Sequence, residues 1–117
     1  MKFCFIYCTT SSAAQARRIG KSLVASRLVA CVNILSGMNS LYWWEGAVQD
    51  GREAVLIAKT RASLAAAVID KIKSLHTYTV PCIVSLPVAG GNPDFLKWLK
   101  DETRTAPVKK KKSKRRG

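Results

Sequence analysis

The chain predicts an α+β fold, a ferredoxin-like split βαβ sandwich with an extra C-terminal helix, and three features of its 117 residues carry that prediction. Apolar residues alternate between strand-like runs and helix-spaced stripes in the order strand, helix, strand, strand, helix, strand, helix. An Asp50-Gly51 dipeptide sits between two apolar runs, as the turn of a hairpin does. Three adjacent aromatic rings, Tyr42, Trp43 and Trp44, fall near the middle of the chain, and rings of this size supply much of the apolar area in cores and interfaces.

Taken in order, residues 2–8 are almost wholly apolar, which marks a central strand. The hydroxyl run Thr9-Thr10-Ser11-Ser12 offers a helix cap. Ala16, Ile19 and Leu23 follow at spacings of three and four, predicting a helix over 12–27. A second strand begins at 29–35, passes a loop or bulge at 36–39 and continues through the aromatic stretch of 40–48. The turn at 49–52 then leads into a strand over 53–60. From Arg61 the stripe Leu64, Val68, Ile72 and Leu75 is helical and ends near His76. Cys82 to Val88 forms a fourth strand bracketed by prolines. Asn92-Pro93-Asp94 opens the last helix with a cap, a proline at the first helical position and an acid in the first turn. This order predicts a mixed antiparallel sheet with the two long helices on one face.

On a strand, Tyr42 and Trp44 share one face while Trp43 joins Leu41 on the other, so both faces need cover. Tyr42, Trp43 and Trp44 are therefore assigned to core and interface, with a second subunit on one side. Burial of both faces inside one subunit is the alternative. Glu45, beside the rings, is expected to be partly buried against a Lys or Arg, because a lone buried charge is costly.

Composition bounds the function. The formal charge is +13, and seven cations lie in one short run: Lys109, Lys110, Lys111, Lys112, Lys114, Arg115 and Arg116. That leaves +6 on residues 1–106, read as one domain, and 107–117 reads as a disordered basic tail. Such a tail suits a non-specific anionic partner, nucleic acid included, but lacks the aromatics of a single-strand binder. No stretch approaches the ~20 apolar residues of a membrane span. The N-terminus reads as a strand without a cleavage pattern, which predicts a cytoplasmic or similarly reducing location. The cysteines at 4, 8, 31 and 82 show no zinc-ligand spacing. Cys4 and Cys8 would share a strand face ~13 Å apart, beyond disulfide reach.

The chemistry-bearing residues are few. His76 is the one histidine. It either caps a helix end or serves as a metal ligand at a loop where a thiol approaches. Cys82 and His76 have no third orienting group to make a catalytic set, and no Gly-rich phosphate loop is present, so the chain is read as a non-enzyme.

Several segments together resemble the CutA divalent-cation-tolerance family: Leu28 to Ile34, Ser40 to Gly46, Lys59-Thr60-Arg61, His76 to Pro81, Leu86-Pro87-Val88 and Gly91 to Leu96 with Trp98. The resemblance runs in order from about residue 5 to 103. It implies a stable homotrimer of ferredoxin-like subunits, similar to PII signalling proteins, with tolerance of divalent metals and copper binding. By that resemblance Cys8 and His76 match metal-site positions. Leu75 stands where some members have a second histidine, and Thr79 and Cys82 replace two carboxylates. Cys82 thereby becomes a third ligand candidate, shifting preference toward soft Cu(I). A PII-like signalling or scaffold trimer with a small molecule or protein in its intersubunit clefts, and association with nucleic acid through the tail, are the other readings.

Overall fold

A computed structural model describes residues 1–105; the basic run from Lys109 to Arg116 and the domain boundary at 106/107 lie outside the described residues. The elements are β1 (Phe3–Thr10), α1 (Ala13–Ala25), β2 (Cys31–Trp44), β3 (Ala47–Arg61), α2 (Ala65–Leu75), β4 (Ile83–Val88) and α3 (Pro93–Glu102), with a 3-10 turn at Ala62–Leu64 leading into α2. The sheet order is β2-β3-β1-β4. Its strand pairs are all antiparallel, not mixed. This is the ferredoxin-like arrangement, with the apolar β1 central and Pro87 on the edge strand β4, where a missing amide donor is tolerated.

Alternation along β1 sends Cys4, Ile6 and Cys8 to one face, where they join Ile19 and Leu23 of α1 and Val68 and Ile72 of α2 in the core. The predicted helix stripes are the buried stripes. Ser12 caps α1 by accepting from the Gln15 amide at 3.1 Å, and a Schellman-type end closes it, Arg27 taking a φ of 59° while the Leu28 amide reaches the Leu23 carbonyl. Asn92 caps α3 as its sequence predicts.

The third helix lies on the opposite sheet face. Lys59 Nζ sits 5.3 Å from the ring centroid of Phe5 and 5.6 Å from that of Phe95, joining the strands to α3. Arg61 donates to the carbonyls of Lys100 and Thr103, satisfying helix-end acceptors.

The hairpin departs from the sequence prediction. Pairing runs to Trp44↔Ala47, so the turn is Glu45-Gly46, with φ of 50° and 79°. Two positive φ values are what a type I′ hairpin turn requires. Asp50-Gly51 lies within β3 opposite Leu41 and Ser40, and the Asn39 amide donates to the Asp50 carboxylate at 2.8 Å. The bulge expected at 36–39 is present, as a register shift between Leu35 and Met38. At the turn, Glu45 is exposed and makes no ion pair among the described residues, contrary to the buried pair expected.

Because β1 ends opposite Ala54, residues 38–44 and 47–53 continue as a two-stranded ribbon beyond the sheet. Trp43 is 73% exposed and Leu41 69%, while Tyr42 and Trp44 are nearly half exposed. Burial of these rings within one subunit is thereby excluded. A two-stranded ribbon alone is marginal in water, so this one requires packing from elsewhere.

Candidate functional site

The ribbon and the loop between α2 and β4 form the walls of a cleft of about 690 Å³, with Thr9 and Cys82 at the end of the sheet. The β2–β3 register places Tyr42 and Trp44 on the same ribbon face as Glu53, since Met38 pairs with Glu53 and alternate residues follow. Trp43 and Leu41 alternate to the other face, yet both also line the cleft.

Three contacts hold the loop. The His76 Nε2–H donates to the Thr9 carbonyl at 2.8 Å, and its Nδ1 accepts from the Tyr78 amide at 3.1 Å. The carbonyl can only accept and the amide can only donate, so these partners select the Nε2–H tautomer and occupy both ring nitrogens. Gln15, almost fully buried, donates to Thr77 Oγ1 at 2.7 Å while its carbonyl oxygen accepts from Ser11. Finally the Thr9 amide donates to the Cys82 carbonyl at 3.3 Å.

Tyr78 donates its hydroxyl to Glu53 Oε2 at 2.7 Å. Burial, then the hydrogen bond to Glu53, push the Tyr78 hydroxyl pKa well above its usual value, so it stays a donor.

The three sequence-predicted ligands are not brought together. Cys82 is exposed and lines the cleft. Cys8 is fully buried in the core on the helix side of β1, where burial, then Cys82 and Glu53, push its thiol up to about 12. His76 is half-buried with both nitrogens committed. Among the described residues no group of three or more His, Cys, Asp or Glu side chains is placed to hold a metal. One chain therefore offers an exposed soft thiol and the Glu53 carboxylate on one cleft, short of a closed ligand set.

Sequence reasoning missed Glu53 and Gln15. Glu53 follows a turn-like dipeptide and reads as surface; its tyrosine partner is 25 residues away. Gln15 does carry a signal, since Ser12-x-x-Gln15 has the spacing of a capping box.

Residues 4–102 match the family described as CutA1 divalent ion tolerance protein. The chain is 44% identical over 99 residues to "Protein CutA 1, chloroplastic" of Oryza sativa subsp. japonica, covering 85% of this chain and 56% of that protein. It thus spans little more than half the length of this plant relative. Identity is also 44% over 99 residues to the divalent-cation tolerance protein CutA of Archaeoglobus fulgidus, covering 85% of this chain and 95% of that one. The crystal structure of CutA1 from Oryza sativa superposes with a TM-score of 0.86 at 42% identity, covering 89% of this chain and 95% of that one. The Cut A1 protein from Thermus thermophilus superposes at 0.84 and 42%, covering 87% and 99%. The Archaeoglobus fulgidus and Thermus thermophilus proteins are named for tolerance of divalent cations. With its ferredoxin-like sheet, projecting aromatic ribbon and matched span of 4–102, the chain belongs to the CutA1 divalent ion tolerance family.

Proposed function

We propose that this chain is a non-catalytic divalent-cation tolerance protein working as a homotrimer in a reducing compartment such as the cytoplasm, and that the metal it takes is copper. The exposed Cys82 thiol on the cleft is the observation that carries the metal assignment. A thiolate favours Cu(I) over hard cations. His76 joins Cys82 as a ligand only by giving up the Tyr78 amide or the Thr9 carbonyl, and Cys8 only by leaving the core. Cys82 is therefore the leading ligand, His76 the second and Cys8 the last, with further donors supplied by neighbouring subunits. The trimer is supported by the ribbon, whose exposed Leu41 and Trp43 form an apolar face of the kind that marks an interface.

Anaerobic Cu(I) titration of the full chain beside Cys82→Ser, His76→Ala and Cys8→Ser tests the reading. Tight binding is expected in the parent chain, abolished by Cys82→Ser, weakened by His76→Ala and little changed by Cys8→Ser. Parent-like binding by Cys82→Ser sinks the assignment.

A further inference from the structure

The cleft has a second chemical character that copper does not use. Among the described residues no Lys or Arg lines it. Its walls carry Tyr42, Trp43, Trp44 and Tyr78, and its one carboxylate is Glu53. Glu53 is half-buried and in neither of the two ion pairs found among the described residues. Its Oε2 is taken by the Tyr78 hydroxyl, while Oε1 has no protein partner among those residues. A carboxylate in an aromatic cleft without a cation favours a positive ligand, through an ion pair and through attraction to the ring faces.

The length of the cleft narrows the class. Glu53 stands at the base of the ribbon and Trp44 at its tip, six residues along β3 when Trp44 is referred to its partner Ala47. At ~3.4 Å per residue that span is about 20 Å. Tyr42 lies between, and its hydroxyl is 3.9 Å from where a Cβ on Gly51 would sit, so its ring leans toward the base. The volume of about 690 Å³ falls within the range of small-molecule sites.

We infer that this cleft binds an organic ammonium ion, its charged head at Glu53 Oε1 between Tyr42 and Tyr78 and its apolar or aromatic body laid along the ribbon toward Trp44. The inference goes beyond metal tolerance and does not depend on the copper assignment, because its head group and the thiol ligand are different residues.

The test uses the full chain with phenethylammonium as probe and 2-phenylethanol as its neutral counterpart, read by equilibrium dialysis and by tryptophan fluorescence. Saturable binding of the ammonium is expected, with the alcohol much weaker. Glu53→Gln keeps an acceptor for Tyr78 but removes the charge, and is expected to weaken the ammonium roughly three- to tenfold without affecting the alcohol. Tyr42→Leu leaves Glu53 and Tyr78 in place and is expected to weaken it comparably, giving a second reading should Glu53→Gln fold poorly. Equal binding of ammonium and alcohol, or indifference to both Glu53→Gln and Tyr42→Leu, overturns the inference. So does binding seen only in a Trp43→Ser chain that no longer assembles, since the cleft then belongs to a neighbouring copy.

Discussion

The position of the hairpin turn makes a contrast between two glycines that tests the register directly. Gly46 has a φ of 79° and nothing within 4 Å of an added Cβ, so Gly46→Ala meets no neighbour and its cost is the backbone alone. A left-handed alanine costs about 1–2 kcal/mol. Gly51 lies in β3 outside the positive-φ region, and the one atom near its added Cβ is the Tyr42 hydroxyl at an ordinary 3.9 Å. Gly51→Ala therefore restricts the unfolded chain without straining the folded one, a gain of about 0.4–1 kcal/mol. The two variants should differ by about 2 kcal/mol, a Tm separation of roughly 8 °C or more for a domain of this size. Thermal unfolding by circular dichroism at one fixed protomer concentration reads the gap, since assembly makes Tm concentration-dependent. A turn at Asp50-Gly51 makes the opposite prediction. Gly51→Ala as the more damaging change refutes the register and, with it, the face shared by Tyr42, Trp44 and Glu53.

Other consequences are checked by simpler means. Thr60→Val removes a fully buried hydroxyl that donates to the Leu28 carbonyl at 2.6 Å, and should cost about 1–3 kcal/mol in urea unfolding, largely restored by Thr60→Ser. An added Cβ at Gly20 comes within 2.9 Å of Val32 Cγ2, so Gly20→Val should destabilise by about 1–3 kcal/mol and an unchanged urea midpoint counts against the α1–β2 packing. At pH 8 a thiol reagent should label Cys82 in the native protein and leave Cys8 unlabelled until unfolding. The raised Cys8 pKa also has a sign in stability. The folded chain keeps a proton that the unfolded chain loses above the ordinary value of 9.0, so this contribution is complete below pH 9 and is lost as pH rises toward about 12.

The elements that could be read from sequence are those set by local period and capping. Ala16, Ile19 and Leu23 face the core because helical spacing lines them up, and Asn92-Pro93-Asp94 starts a helix by its own chemistry. Asp50-Gly51 is the stronger local turn signal, yet the chain turns at Glu45-Gly46. Pairing over the whole of β2 and β3 outweighs it, putting Glu45 into a left-handed conformation that few residues adopt. That α3 would cover the other sheet face was not legible either, since an apolar stripe does not say which surface receives it. The site was the least legible. His76 could be singled out as the one imidazole, but its partner Thr9 is 67 residues away and commits the nitrogen that a metal would need. Strand alternation alone separates a Trp43 face from a Tyr42–Trp44 face, but joining Glu53 to the second face needs the observed register.

The most direct test of the central claim is native mass spectrometry of the full chain loaded anaerobically with Cu(I), beside Cys82→Ser, because assembly and metal content are read in the same spectrum. A species at three times the 12.8 kDa chain mass that carries copper is expected, and an apo species of the same assembly for Cys82→Ser. A monomer, or copper retained in full by Cys82→Ser, contradicts it.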